Sequence, residues 1–143
     1  MISKRFYIFL LLFAVLVGCN VTTKQPLSNS LKRKWMLVAM EDFSRDTLVK
    51  YATYIDLTSS DNAGSAYMGC NTIGFRYEIY SKDKIKFSDF ISTKMYCQQT
   101  GKIEDEFSRL IVTMNGFSTQ NAHKLVLVNE EGKQLQFVAA DWD

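Results

Sequence analysis

Hydrophobic and polar positions change period along this chain, and the changes mark its elements. Phe75, Tyr77 and Ile79 alternate with Arg76, Glu78 and Tyr80, the period of two expected of a strand buried on one side. Ile85 and Phe87 carry the same face onward after the polar turn Ser81-Lys82-Asp83, so a hairpin is predicted. Residues 35–39 and 53–58 form two earlier strand candidates. After the turn cluster at 59–64, residues 65–68 lead back into Gly69-Cys70-Asn71. Near the end, Leu125 and Leu127 alternate with Val126 and Val128, and Leu135 and Phe137 with Gln134 and Gln136. Asn129-Glu130-Glu131-Gly132 joins these two strands, with glycine where a positive φ is expected.

One stretch breaks this rhythm. Ile103, Phe107, Leu110, Ile111 and Met114 recur at helical spacing, with Glu104, Asp105 and Glu106 placed at the positive end of the helix dipole. Thr100 or Gly101 is the expected start, and Asn115-Gly116 the expected left-handed stop. Strands, one helix, then strands predict a mostly β (α+β) fold: a curled antiparallel sheet or partly open β-barrel with one packed α-helix.

The first residues follow different rules. Lys4 and Arg5 precede an unbroken apolar run over residues 6–17, shorter than the roughly 20 residues a membrane-spanning helix needs. Residues 1–18 therefore read as an export signal and are set apart from the fold. Leu16-Val17-Gly18-Cys19 resembles the lipobox of bacterial lipoprotein precursors. That resemblance implies that Cys19 is acylated and becomes the first residue, ordinary secretion with Cys19 unmodified being the other reading. Several acyl chains anchor a domain stably, as one does not. Asn20 after the cysteine resembles a sorting signal for the outer membrane, so the expected location is its periplasmic face. Residues 19–30 are then the lipidated terminus and a polar, aperiodic tether, and 31–143 are one domain with a single core.

Charge alters the picture once the leader is removed. The formal net charge of +2 comes from Lys4 and Arg5, which leaves the remainder neutral, and an exported neutral domain has no case for nucleic acid. Lys32-Arg33-Lys34 suits either an anionic lipid surface or a solvated approach to the first strand. With Cys19 acylated, Cys70 and Cys97 are an even pair in a compartment where disulfides persist. A bridge between them is expected; two buried free thiols are the other arrangement open to them. His123 is the only histidine and no Cys-x-x-Cys occurs, so neither a usual zinc site nor another metal or cofactor site is expected. No phosphate loop, nucleophile elbow or dinucleotide glycine pattern occurs either.

Gly69-Cys70-Asn71, followed by Thr93-x-Met95-x-Cys97 and then Glu104-x-x-Phe107-x-x-Leu110, resembles the META domain of HslJ-like envelope proteins. The similarity begins at Trp35-x-Leu37 and closes with Leu125-x-Leu127 and Leu135-x-Phe137, so it spans nearly the whole domain. Gln98-Gln99-Thr100 departs from the prolines that approach the helix in that family, which bears on the conformation of this loop. The resemblance implies a barrel with one helix, similar to that of lipid-binding pilotins, and a link to envelope stress without an established reaction. It assigns Trp35, Gly69, Cys70, Asn71, Thr93, Met95 and Cys97 as structural motif positions: glycine for a close approach, asparagine for a turn hydrogen bond, the cysteines for the bridge. The expected function is a non-catalytic binding or stress-response module, anchored to the membrane by its lipid, for an apolar ligand or an envelope protein partner. The alternative is an envelope enzyme or enzyme inhibitor, the latter acting through a loop such as 58–64.

Overall fold

The computed structural model describes residues 30–142. The expected export signal, Cys19 and most of the expected tether lie outside the described residues. Eight strands follow one another around a ring: β1 (Lys34–Ala39), β2 (Tyr54–Asp56), β3 (Ala63–Tyr67), β4 (Thr72–Ser81), β5 (Lys84–Ser92), β6 (Gly116–Gln120), β7 (Lys124–Val128) and β8 (Gln134–Ala139). Each pairs antiparallel with its neighbour, and β8 returns to β1 through Trp35 with Ala139 and Leu37 with Phe137. The predicted curled sheet is thus a closed barrel. The exception to continuous pairing is the seam between β5 and β6, where Lys84 and Gly116 are the only paired residues.

Two helices lie wholly within the described residues. α1 (Arg45–Lys50) is a short turn after β1 that the sequence pattern does not reveal, because Leu48 is its only buried residue. Ser44 caps it, its hydroxyl accepting from the Thr47 N–H at 3.3 Å. α2 (Gly101–Ile111) is the predicted helix, between β5 and β6. Its buried residues Ile103, Phe107, Leu110 and Ile111 belong to the same core as the inward faces of the strands. Period-two burial is plain in β4, where Ile73, Phe75 and Tyr77 point inward and Thr72, Arg76 and Glu78 outward.

Two details of α2 differ from expectation. Of its three acids only Glu104 lies in the first turn. Asn115-Gly116 is not a left-handed stop, since neither residue has a positive φ. The helix ends at Val112 in the right-handed region, the Thr113 hydroxyl donates to the Leu110 carbonyl at 2.7 Å, and Gly116 opens β6, a strand absent from the sequence prediction. Glycine is needed there for space: a Cβ would lie 2.9 Å from Val128 Cγ1. The expected positive φ at Gly132 is present, at 82°.

The interior is filled by large side chains. Trp35, Phe107 and Phe137 are fully buried, and the Trp35 indole N–H donates to the Leu31 carbonyl at 3.0 Å. Phe75 meets Phe87 edge-on, with ring centroids 5.5 Å apart, and lies across Gly64 on the adjacent strand, where any Cβ would come within 2.4 Å of its ring. Burial also raises the Tyr77 phenol above its ordinary pKa, and its hydroxyl donates to the Leu57 carbonyl. Removing the ring by which α2 enters this core leaves a cavity no neighbour can fill. Phe107→Ala is therefore expected to lower stability by about 3–5 kcal/mol in urea denaturation, and a loss under about 1 kcal/mol would show that α2 does not share the barrel core.

Candidate functional site

The motif residues converge where β3 ends and β4 begins. Gly69 has φ +93°, a conformation favoured by glycine, and a Cβ on it would lie 2.8 Å from Thr100 Cγ2. This close approach lets the β3–β4 connection lie against the start of α2. Thr100 occupies the cap position of that helix, but its hydroxyl donates to the Gly69 carbonyl at 3.2 Å and makes no capping bond. Cys70 is bonded to Cys97, with Cα atoms 6.0 Å apart, a usual separation for a disulfide. The bridge closes a sequence separation of 27, which in the loop-entropy account contributes about 3–4 kcal/mol.

Asn71, 5% exposed, uses every polar atom it has on this side. Its Nδ2 donates to Glu104 Oε1 at 2.9 Å and to the Met95 carbonyl at 3.1 Å. Its Oδ1 accepts from the Met95 N–H at 2.7 Å and the Thr93 hydroxyl at 2.8 Å. Its own backbone N–H donates to Glu104 Oε2 at 2.8 Å. Thr93 also accepts from the Thr72 N–H, so the segment after β5 stays alongside the start of β4. One buried amide thus joins β4, the loop after β5 and the first turn of α2. Gly69, Cys70, Asn71, Thr93, Met95 and Cys97 are brought together, whereas Trp35 stands apart from them in the core. Glu104 is the member that residue-by-residue reading misses: its place in the first turn suits the helix dipole, and its carboxylate also spans to Asn71.

Beside this junction lies an apolar groove that periodicity does not foretell. Asp89 takes φ 55°, and the β4–β5 register slips between Gly74 and Arg76, a bulge that turns the last part of β5 outward. Ile73, Phe90, Ile91 and Ser92 form one wall, and Ser108 of α2 and Val112 just after it the other, around a cavity of about 220 Å³. Ile91 is 74% exposed and Val112 55%. Exposed apolar groups continue along the chain through Met95 and Tyr96. Beyond Lys84, β5 has no strand partner on the β6 side among the described residues. On the outer face of α2, Arg109 hydrogen-bonds Glu106 and holds its carboxyl below the usual range; an exposed pair of this kind adds little stability.

At the groove the structure offers mainly apolar surface. The sulfurs of Cys70 and Cys97 are joined to each other, and His123 sits on the β6–β7 connection beside Trp142. Among the described residues no three His, Cys, Asp or Glu side chains come together, and no helix is long and apolar enough to cross a membrane.

A small antiparallel barrel whose core is shared by one helix, with a bridged junction at the helix start, defines the structural class. Residues 28–142 match the META domain, and the chain belongs to that family. Solved structures agree on the fold. A Burkholderia xenovorans protein determined by NMR is similar with a TM-score of 0.65 at 20% identity, over 81% of this chain and 87% of that one. A DUF4847 family protein from Bacteroides vulgatus has a TM-score of 0.58 at 15% identity, over 78% and 95% of the two chains. No curated protein matches the sequence.

Asn71→Ala leaves the Met95 N–H, the Thr93 hydroxyl and Glu104 Oε1 without their side-chain partner, while the backbone N–H at position 71 still donates to Glu104 Oε2. We expect it to lower stability by about 2–4 kcal/mol and to speed amide exchange in the first turn of α2. Exchange there equal to that of the unaltered protein would show that the amide does not hold the helix.

Proposed function

We propose that this protein is a lipid-anchored envelope protein whose META domain is a non-catalytic binding module, and that the groove between β5 and α2 holds an extended apolar segment of another envelope protein. The observation that carries this reading is the conjunction of two features at one place. A strand edge without a partner offers backbone donors and acceptors, and the recess beside it exposes Phe90, Ile91 and Val112. An extended segment can use both, by hydrogen-bonding along the edge and placing alternate side chains in the recess. A lipid tail is the weaker candidate, because the barrel interior is taken up by Trp35, Phe107 and Phe137.

Anchoring rests on the lipobox-like Leu16-Val17-Gly18-Cys19, and export is consistent with a disulfide that would be reduced in most cytoplasms. The periplasmic face of the outer membrane is the location that Asn20 favours. In this reading the lipid supplies the membrane contact and the groove supplies the protein contact, with no cofactor.

A photo-crosslinking amino acid placed at Ile91 or at Val112 in living cells is expected to give a discrete protein adduct from both positions and none from Tyr80, an exposed aromatic on β4 away from the groove. Adducts of lipid mass would replace the protein partner with a lipid, and equal labelling from Tyr80 would remove the groove from consideration. Separately, metabolic labelling with an alkyne fatty acid is expected to mark the protein and to fail with Cys19→Ala. An unlabelled protein, or label that persists in Cys19→Ala, would rule out the lipid anchor at this residue.

A further inference from the structure

A second recess lies on the outer wall of the barrel, where α1, the β6–β7 connection and the last described residues meet. It encloses about 320 Å³, at the lower end of the range for small-ligand sites. Arg45 from α1, Gln120 at the end of β6 and Lys124 at the start of β7 reach it from three separate elements. Val138 and the indole of Trp142 supply apolar wall, with Trp142 set edge-on against His123. Every ionisable side chain lining it is basic.

The charges in this recess are not spoken for. Neither Arg45 nor Lys124 takes part in any of the ion pairs among the described residues, which use Arg33, Arg109 and Lys133. His123 Nδ1 is buried and has no hydrogen-bond partner. The nearby carboxylate of Asp141 is already engaged: the Arg33 guanidinium donates to it at 2.6 Å and holds it below the usual carboxylate range. Arg33 also donates to the Ala122 carbonyl, which fixes the β6–β7 connection beside the recess. A guanidinium, an ammonium and a side-chain amide carried by three separate elements around one recess suit the several oxygens of a tetrahedral anion. The indole and valine surfaces suit an apolar body attached to that anion.

We propose that the recess lined by Arg45, Gln120, Lys124 and Trp142 is a binding site for a phosphate group carried on an apolar body. Such a group occurs both in soluble phosphate esters and in lipid headgroups. The site is independent of the groove between β5 and α2.

The two tryptophans allow a direct test by NMR. Trp142 lines the recess, whereas Trp35 is buried and hydrogen-bonded to Leu31, so its indole resonance reports an intact fold. With the whole chain carrying Cys19→Ala, phenyl phosphate is expected to shift the Trp142 indole N–H saturably and leave that of Trp35 in place. The double variant Arg45→Gln, Lys124→Gln is expected to bind about tenfold more weakly or worse, because it removes two charge-assisted contacts. Phosphatidylglycerol vesicles that compete with phenyl phosphate would identify a lipid headgroup as the source. Failure to compete, with phenyl phosphate still bound, would identify a soluble ester. Benzyl alcohol binding as well as phenyl phosphate, equal affinity in the double variant, or an unmoved Trp142 resonance would each overturn the proposal.

Discussion

Pairing around the barrel is continuous except between β5 and β6, and the rest of the structure follows from how that seam is closed. A strand edge without a partner exposes both its backbone groups and the apolar face behind it. α2, which the chain places between β5 and β6, contributes Phe107, Leu110 and Ile111 to the common core. A helix inserted in this way needs fixing at its start, since one turn of slippage would carry Phe107 out of the core. Asn71 provides the fixing by holding Glu104, and the Cys70–Cys97 bridge keeps the loop before the helix against the start of β4. The motif residues are therefore a fastening for the helix, which explains why they are distant in sequence yet adjacent in space.

The same seam produces the apolar groove. Ser108 of α2 and Val112 after it line one side of the groove, and beyond the bulge near Asp89 Phe90 and Ile91 line the other. The core and the groove thus draw on different faces of one helix. Ile103 and Phe107 are buried, while Ser108 and Val112 line the groove. Changes confined to the groove wall can therefore be made without disturbing the core.

Most of the barrel is legible in the sequence because half-buried strands and a half-buried helix leave opposite periodicities. β4, β5, β7, β8 and α2 all carry that signal. β6 does not, since the two buried residues Gly116 and Phe117 are adjacent and the rest are polar. α1 is too short for a period to develop around Leu48. Asn115-Gly116 misleads because glycine is needed there for proximity to Val128, not for a left-handed turn. At the junction, the cysteines and Asn71 stand out through the family resemblance, but the reach of Glu104 across the fold leaves no trace in local pattern. The groove depends on a backbone bulge, and the basic recess on three distant elements, so neither has a contiguous sequence signature.

The closure of β8 onto β1 bears on the order in which the molecule assembles. Trp35 and Ala139 lie at opposite ends of the domain sequence, so their pairing requires nearly the whole chain to be looped. The β4–β5 and β7–β8 hairpins are local and can form early, whereas the last ladder of the ring is the most costly in chain entropy. Until that ladder forms, the inner face of β1, with Trp35 and Leu37, has lost one of its two lateral supports. During folding the chain therefore passes through a state that is nearly complete yet still sticky, whose lifetime is set by the meeting of its two ends.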